Sequence, residues 1–335
     1  MRLTVVSILT IAFGGSTQPD LTKTMSKCAS SLFSILAFLS LTQCGLILLA
    51  PSSAAAELPR GTCHDLGWLG VRGSQAIDFA MGPDGEVYLC GTTVRRDVGT
   101  PLSFQPFPRN TNVWGSYPSH SFVARIAPDG TPRFVAYLGG SGPFDDPVLH
   151  IAVDSLGNAY VTGMANSSDF PVKNSTGKAG PEHIDTYLVK ISPDGRELLY
   201  STLLGGKALD APQALAVNAQ GEAFVAGYTS SSDFQTSPED LLCESPGLGD
   251  HAFVAKFSSE GGLLFSRRYG PAAGWNVQQL LCDAQGGVML GGLTSAPSLP
   301  AGTSGRPGAV TNDYSDGFVA ALDALGNSVD RKSVV

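Results

Sequence analysis

Charge is scarce in this chain, and positive charge most of all. Charged residues make up 15 % of 335 residues, with Lys+Arg 21 against Asp+Glu 29 and a formal net charge of -8. No run of Lys or Arg occurs. That excludes the clustered cations that phosphate backbones require, so nucleic acid is not expected as a partner. It also excludes a polybasic attachment to anionic lipid. No Gly-x-Ser-x-Gly elbow and no Gly-x-x-x-x-Gly-Lys loop is present, which removes two common signatures of hydrolysis and phosphate binding. Cys is limited to 6 residues with no Cys-x-x-Cys spacing, so neither a zinc knuckle nor a redox pair is indicated. Helical periodicity is absent after residue 56.

One long apolar run does occur. Met25-Ser26-Lys27 is a short basic start, followed by "SSLFSILAFLSLTQCGLILLA" from Ser30 to Ala50. Ala54-Ala55-Ala56 then supplies small residues for a signal-peptidase cut before Glu57. Residues 1–56 are therefore expected to be a leader and signal peptide, with the true start at Met25. Two alternatives stay open: a retained anchor, since the run is long enough to span, and a lipoprotein modified at Cys44 in "LTQCG". With cleavage, no stable membrane span remains and the protein is expected outside the cytoplasm, whether secreted, periplasmic or on the cell surface. Cys63, Cys90, Cys243 and Cys282 remain after the leader. Export permits disulfides, but Cys90 and Cys282 sit in apolar runs and suit isolated burial.

What is abundant is Gly, at 40 residues, and it is periodic. "FAMGPDGEVYLCG" (79–91), "IAVDSLGNAYVTG" (151–163), "LAVNAQGEAFVAG" (215–227) and "LLCDAQGGVMLGG" (280–292) are versions of one segment. A second set of turn glycines, Gly130, Gly195, Gly261 and Gly326, is spaced 65, 66 and 65 residues apart. Phe122, Tyr187, Phe253 and Phe318 keep the same spacing in the strands before those turns. Internal periodicity of this length marks a repeat architecture. Each unit holds two hairpins, because Gly accepts positive φ in a tight turn. A four-stranded sheet repeated in tandem is a propeller blade, in which each copy covers the face of its neighbour. The fold class expected is all-β, a β-propeller with units at about 77–140, 147–206, 211–270 and 276–328.

"GNAYVTGMANSSDFPV" (157–172) and "GEAFVAGYTSSSDFQT" (221–236), followed by "LLYSTLLGG" (198–206) and "LLFSRRYGP" (263–271), resemble the bacterial beta-propeller repeats called SBBP repeats. The similarity covers about 79–328. It implies a seven-bladed propeller in an exported or cell-surface bacterial protein, and it transfers no active site. Against seven blades only four units stand here. Residues 57–76 form an N-terminal segment in which "LGWLGVRG" (66–73) is similar to the outer strand "YLGG" (137–140) and is read as a candidate ring-closing strand. Residues 329–335 break the pattern and are read as a non-native tail, with the natural protein expected to run on.

Few residues suggest chemistry. His120, Asp185, His251 and Asp316 stand two positions before the four periodic aromatics. Equivalent positions on a ring do not converge on a metal, so they are read as polar caps at strand starts. Asp169 and Asp233, each before a Phe, are read as Asx-turn residues with the ring as a packing wedge. Asp145 and Asp146 in "PFDDP" are the candidate calcium ligands, although calcium needs more oxygens than one such loop offers. No cofactor is expected. Recognition is assigned to the variable loops 95–120, 165–184, 229–250 and 294–315. Arg109, Trp114 and Tyr117 in the first are the residue types that recur at binding hot spots. The expected function is a non-catalytic module for binding or scaffolding, with a protein or glycan as partner. The alternatives are a glycan-active enzyme on the same scaffold and a structural spacer of a larger surface protein.

Overall fold

The computed structural model describes residues 73–109, 119–142, 145–173, 184–237, 250–269, 274–283, 285–295, 303–305 and 316–328. The contacts divide the chain into Met1–Leu66 and Gly67–Val335, and all described residues belong to the second unit. Trp114, Tyr117, Cys63, Cys243, most of 66–73 and the 329–335 tail lie outside them.

No helix occurs among the described residues, so none is long and apolar enough to cross a membrane. The strands build four antiparallel sheets of four. The first holds β1 (Ser74–Met81), β2 (Val87–Thr93), β3 (His120–Ile126) and β4 (Pro132–Tyr137) in that order. The second holds β5 (Val148–Val153), β6 (Ala159–Ala165), β7 (Asp185–Ile191) and β8 (Leu198–Leu204). The third holds β9 (Asp210–Val217), β10 (Ala223–Thr229), β11 (His251–Phe257) and β12 (Leu263–Tyr269). Each hairpin turns on a periodic Gly in the left-handed region, for example Gly195 at φ 71°.

A second class of periodic Gly has a different cause. Gly91, Gly163, Gly227 and Gly292 each sit beside a register shift in the pairing of the first two strands of a sheet. A Cβ at any of them would be driven into a backbone carbonyl oxygen, that of Gln75, Pro147, Ala211 or Asn276. The bulge brings one backbone against another, and only a residue without a side chain allows it.

The fourth sheet departs from the pattern. It contains β13 (Trp275–Cys282), β14 (Val288–Thr294), β15 (Thr303–Gly305) and β16 (Asp316–Leu322), in the spatial order β13-β14-β16-β15. The outer place belongs to three residues of the loop between the second and third strands. Residues 66–73, read as a candidate ring-closing strand, lie almost wholly outside the described residues. The reason for the spatial order is visible in the other sheets, where the same loop already runs along the outer edge. Thr100 N–H donates to Val135 at 2.8 Å, Lys173 N–H to Ser201 at 3.0 Å and Ser237 N–H to Ser266 at 2.8 Å. An unpaired outer edge invites association, and these loops cover it. Among the described residues no strand follows β16 in the sheet, and the covering segment pairs with β16 itself.

The sheets stack in chain order through β1, β5, β9 and β13. Three apolar cores separate them. Tyr88, Phe134 and Val123 meet Ile151 and Val189 between the first two. Tyr160, Leu188 and Tyr200 meet Val225 and Phe257 between the second and third. Phe224, Val254 and Phe265 meet Leu280 and Leu290 between the third and fourth.

Candidate functional site

A cavity lies between the first and second sheets, on the side of the hairpin tips. It is a cleft of about 570 Å³ lined by Glu86, Leu102, Arg125, Arg133, Phe134, Pro193, Asp194 and Arg196 among others. Its residues come from four sources, one of them the loop between β2 and β3 that supplies Leu102. Glu86 and Arg125 stand at facing ends of β2 and β3. Arg133 opens β4. Pro193, Asp194 and Arg196 belong to the turn between β7 and β8.

Glu86 organises the cleft. Its side chain is buried and accepts from Arg125 Nε and, at 3.0 Å, from Arg133 Nε. Burial pushes the Glu86 carboxyl up, but the hydrogen bonds from Arg133 and Arg125 outweigh it and hold the group below the usual carboxylate range. Arg125 is fixed on every side. Its Nη1 donates to the Pro193 carbonyl at 2.6 Å, and its guanidinium lies 5.3 Å from the centre of the Tyr88 ring. Arg133 and Arg196 are different: both side chains are more than half exposed, at 56 % and 58 %. Arg196 makes only a long pair with Asp194, at 3.7 Å. Two planar guanidinium groups thus flank an apolar floor made by Phe134 and Leu102, with donors left for a ligand.

The sequence-derived candidates sit elsewhere, at the opposite ends of the strands. Asp145 and Asp146 adjoin in the connection between the first two sheets. Asp146 is a staple: Oδ1 accepts from Asn166 N–H at 2.6 Å and Ser167 N–H at 2.8 Å, and Oδ2 from Gly140 N–H at 2.7 Å. Those three backbone donors occupy most of the acceptor sites of the carboxylate. Asp145 accepts from Ser119 Oγ at 2.6 Å, and burial, aided by the charge of Asp146, pushes its pKa up to about 6. No group of three or more His, Cys, Asp or Glu able to hold a metal occurs among the described residues.

Asp169 and Asp233 close the same connections from the next loop. Asp169 Oδ1 accepts from Ser141 N–H at 2.7 Å, and Asp233 Oδ1 from Lys207 N–H at 2.9 Å. The phenylalanines after them wedge as expected, Phe170 on Tyr187 at 4.5 Å and Phe234 on Phe253 at 4.9 Å. His120 is buried edge-on to Tyr137 at 6.1 Å, and burial together with the charge of Arg96 lowers its pKa. Arg109 is exposed and reaches the Asp169 carbonyl at 3.4 Å. Cys90 is free and buried, its thiol pushed up to about 12 by burial and by the charge of Asp78, which removes it as a nucleophile. Cys282 is free as well. Nothing in the sequence pointed to the cleft, because Arg133 and Arg196 do not recur at the repeat spacing. The basic residue of the third strand did recur, as Arg125, Lys190 and Lys256.

Comparison with a family model agrees with the repeat architecture. Residues 133–171 match the family model of the SBBP beta-propeller repeat, running from β4 to just past β6. No curated protein sequence matches the chain. Among solved structures, two mutant forms of Synechocystis apocarotenoid oxygenase are similar at 10 % and 11 % identity, with TM-scores of 0.37 and 0.35. They cover 79 % and 78 % of this chain and 51 % and 59 % of their own. A cobalt-substituted Synechocystis form is similar at 12 % identity and TM-score 0.36, covering 79 % and 51 %. The chain thus spans little more than half the length of these structures. Likeness at this level assigns no activity.

Proposed function

We propose that the chain is a non-catalytic β-propeller repeat module that works outside the cytoplasm and holds a protein or glycan partner. The observation that supports this reading is the cleft between the first two sheets. Buried Glu86 pre-sets the guanidinium groups of Arg125 and Arg133, Arg196 adds a third beside Asp194, and the floor is apolar. That is recognition chemistry: oriented donors, a hydrophobic base and no nucleophile paired with a base. Paired Arg forks select planar anions, so the partner is expected to present carboxylates. The apolar run at Ser30–Ala50 and the small residues before Glu57 support export.

The test is binding of the full chain to immobilised uronic-acid glycans and to acidic peptides, against neutral glycans as control. Arg133→Ala with Arg196→Ala should reduce binding at least about tenfold, the worth of one charged hydrogen bond lost from a site. Equal binding by the wild type and the double variant would remove the cleft from the function.

A further inference from the structure

The loop over the cleft carries an apolar side chain where a turn favours small and polar ones. Thr100 to Ser103 is a tight turn, closed by Ser103 N–H on the Thr100 carbonyl at 3.0 Å. Pro101 suits its place as the second residue. Leu102 after it is not a residue that turns select, and it is 67 % exposed. The turn is pinned on both sides. Thr100 N–H donates to the Val135 carbonyl at 2.8 Å, and Phe104 N–H to the Gly195 carbonyl of the next sheet at 2.9 Å. Pro101 and Leu102 line the same cleft as the half-exposed Arg133 and Arg196. A fixed apolar tip beside free guanidinium groups loses little freedom on binding.

The polar groups of the cleft are unbalanced. Its acceptors are largely committed. Both Glu86 oxygens accept from arginines. Asp194 Oδ1 accepts from Ser192 Oγ at 2.6 Å and from Arg196 N–H at 3.1 Å. The Pro193 carbonyl serves Arg125 at 2.6 Å, and the Thr100 carbonyl serves Ser103 Oγ at 2.9 Å. Thr100 Oγ1 donates to the Val135 carbonyl at 3.2 Å and accepts from Val135 N–H at 3.3 Å. What stays open is the N–H of Arg133 and Arg196, and guanidinium groups only donate. A glycan brings several hydroxyls per ring, and each proton needs an acceptor once it leaves water. A sugar ring also packs its C–H face on an aromatic ring. Phe134, the aromatic that lines the cleft, is 1 % exposed, and a Cβ on Gly195 would meet its ring at 2.2 Å. A peptide supplies the missing partners, since its carboxylates and carbonyls accept. We infer that the occupant of this cleft is an acidic peptide segment with an aliphatic side chain next to its carboxylates. The carboxylates meet Arg133 and Arg196, and the aliphatic side chain covers Leu102. The inference rests on the reading of the cleft as a binding site and selects protein over glycan.

The experiment titrates the full chain by calorimetry with three probes. One is the capped peptide Gly-Glu-Leu-Glu-Leu-Gly, one its counterpart with Ser in place of both Leu, and one digalacturonate, which carries the same two carboxylates as the peptides. Wild type should bind the Leu peptide best, the Ser peptide several-fold more weakly, and digalacturonate at least about tenfold more weakly. Leu102→Ser, at an exposed position, should weaken the Leu peptide several-fold and leave the Ser peptide unchanged. A misfolded variant would lose both, so the pattern separates contact from stability. Digalacturonate binding as tightly as the Leu peptide would overturn the inference and leave the cleft a binding site. Equal binding of the two peptides would overturn it as well, since Leu102 would then have no partner. If neither peptide nor uronate binds above a neutral peptide and a neutral disaccharide, the binding role of the cleft falls and this inference with it.

Discussion

The second and third sheets differ from the first and last in how many of their faces are finished. The forward faces of the first two sheets, those turned toward the next sheet in chain order, are closed by three separate devices. Aliphatic side chains bury against the neighbour. An aromatic on the second strand reaches the neighbour's turn, as Tyr88 Oη donates to the Gly157 carbonyl at 2.9 Å and Tyr160 Oη to the Gly221 carbonyl at 2.9 Å. A cation on the third strand lies over that aromatic and donates to a second turn, as Lys190 Nζ does to the Ser259 carbonyl at 3.1 Å. The forward face of the last sheet keeps only the first device. A tandem repeat thus carries its fold in every copy but its cohesion only in the copies that have neighbours.

The sharpest way to break this comparison is at a bulge glycine. Gly227→Val should destabilise by roughly 3 kcal/mol or more, because the side chain meets the Ala211 backbone. Gly291→Ala, where a Cβ makes only ordinary contact at 3.5 Å, should stay within about 0.5 kcal/mol. Equal denaturation midpoints would deny the bulge its role. Next in size is one residue type at equivalent positions. Val254→Ala should cost about 2 kcal/mol and Val319→Ala under about 0.5 kcal/mol. Urea titration of both reads the difference directly, and similar losses would mean that Val319 is covered in solution. Removing one hydroxyl is smaller again. Tyr160→Phe deletes the donor to Gly221 and leaves that carbonyl unserved, for about 1 kcal/mol.

The smallest effect is a pH dependence. The Asp145 carboxyl titrates at about 6 when folded, above its value in the unfolded chain. The folded state then holds the proton more tightly. Its contribution is complete below the unfolded value, near pH 4, and is lost as pH rises to about 6. Glu86 acts in the opposite sense, since its folded value is lowered and its contribution fades as pH falls through that value. Melting curves of Asp145→Asn between pH 4 and 6 should lack the decline that the wild type shows. An identical slope in both would assign the decline to other groups.

The repeat was legible because its signals are local. A left-handed turn needs Gly at Gly195 whatever surrounds it, so the spacing survives as a plain pattern in the chain. The Ser-Ser-Asp-Phe motif was read half correctly. Phe170 does wedge against Tyr187, but the Asp169 carboxylate serves the connection from the previous sheet, a partner 28 residues away. The edge-covering role of Thr100 and Lys173 was hidden for the same reason, since backbone pairing leaves no mark on residue type. The cleft was hidden more deeply. Arg133 and Arg196 belong to different repeats and have no periodic counterparts, and their meeting is a property of how one sheet lies on the next.

The Tyr hydroxyl that ends in the next sheet's turn has a kinetic meaning. A hairpin whose carbonyl waits for a donor from its neighbour is complete only after that neighbour has formed. Order should therefore spread from sheet to sheet, each formed unit lowering the barrier for the one beside it, as in a one-dimensional Ising chain. Amide exchange on the folded protein would record this as a gradient. The β6–β7 and β10–β11 ladders should open last and together, and the outer hairpins β1–β2 and β14–β16 should open first and independently.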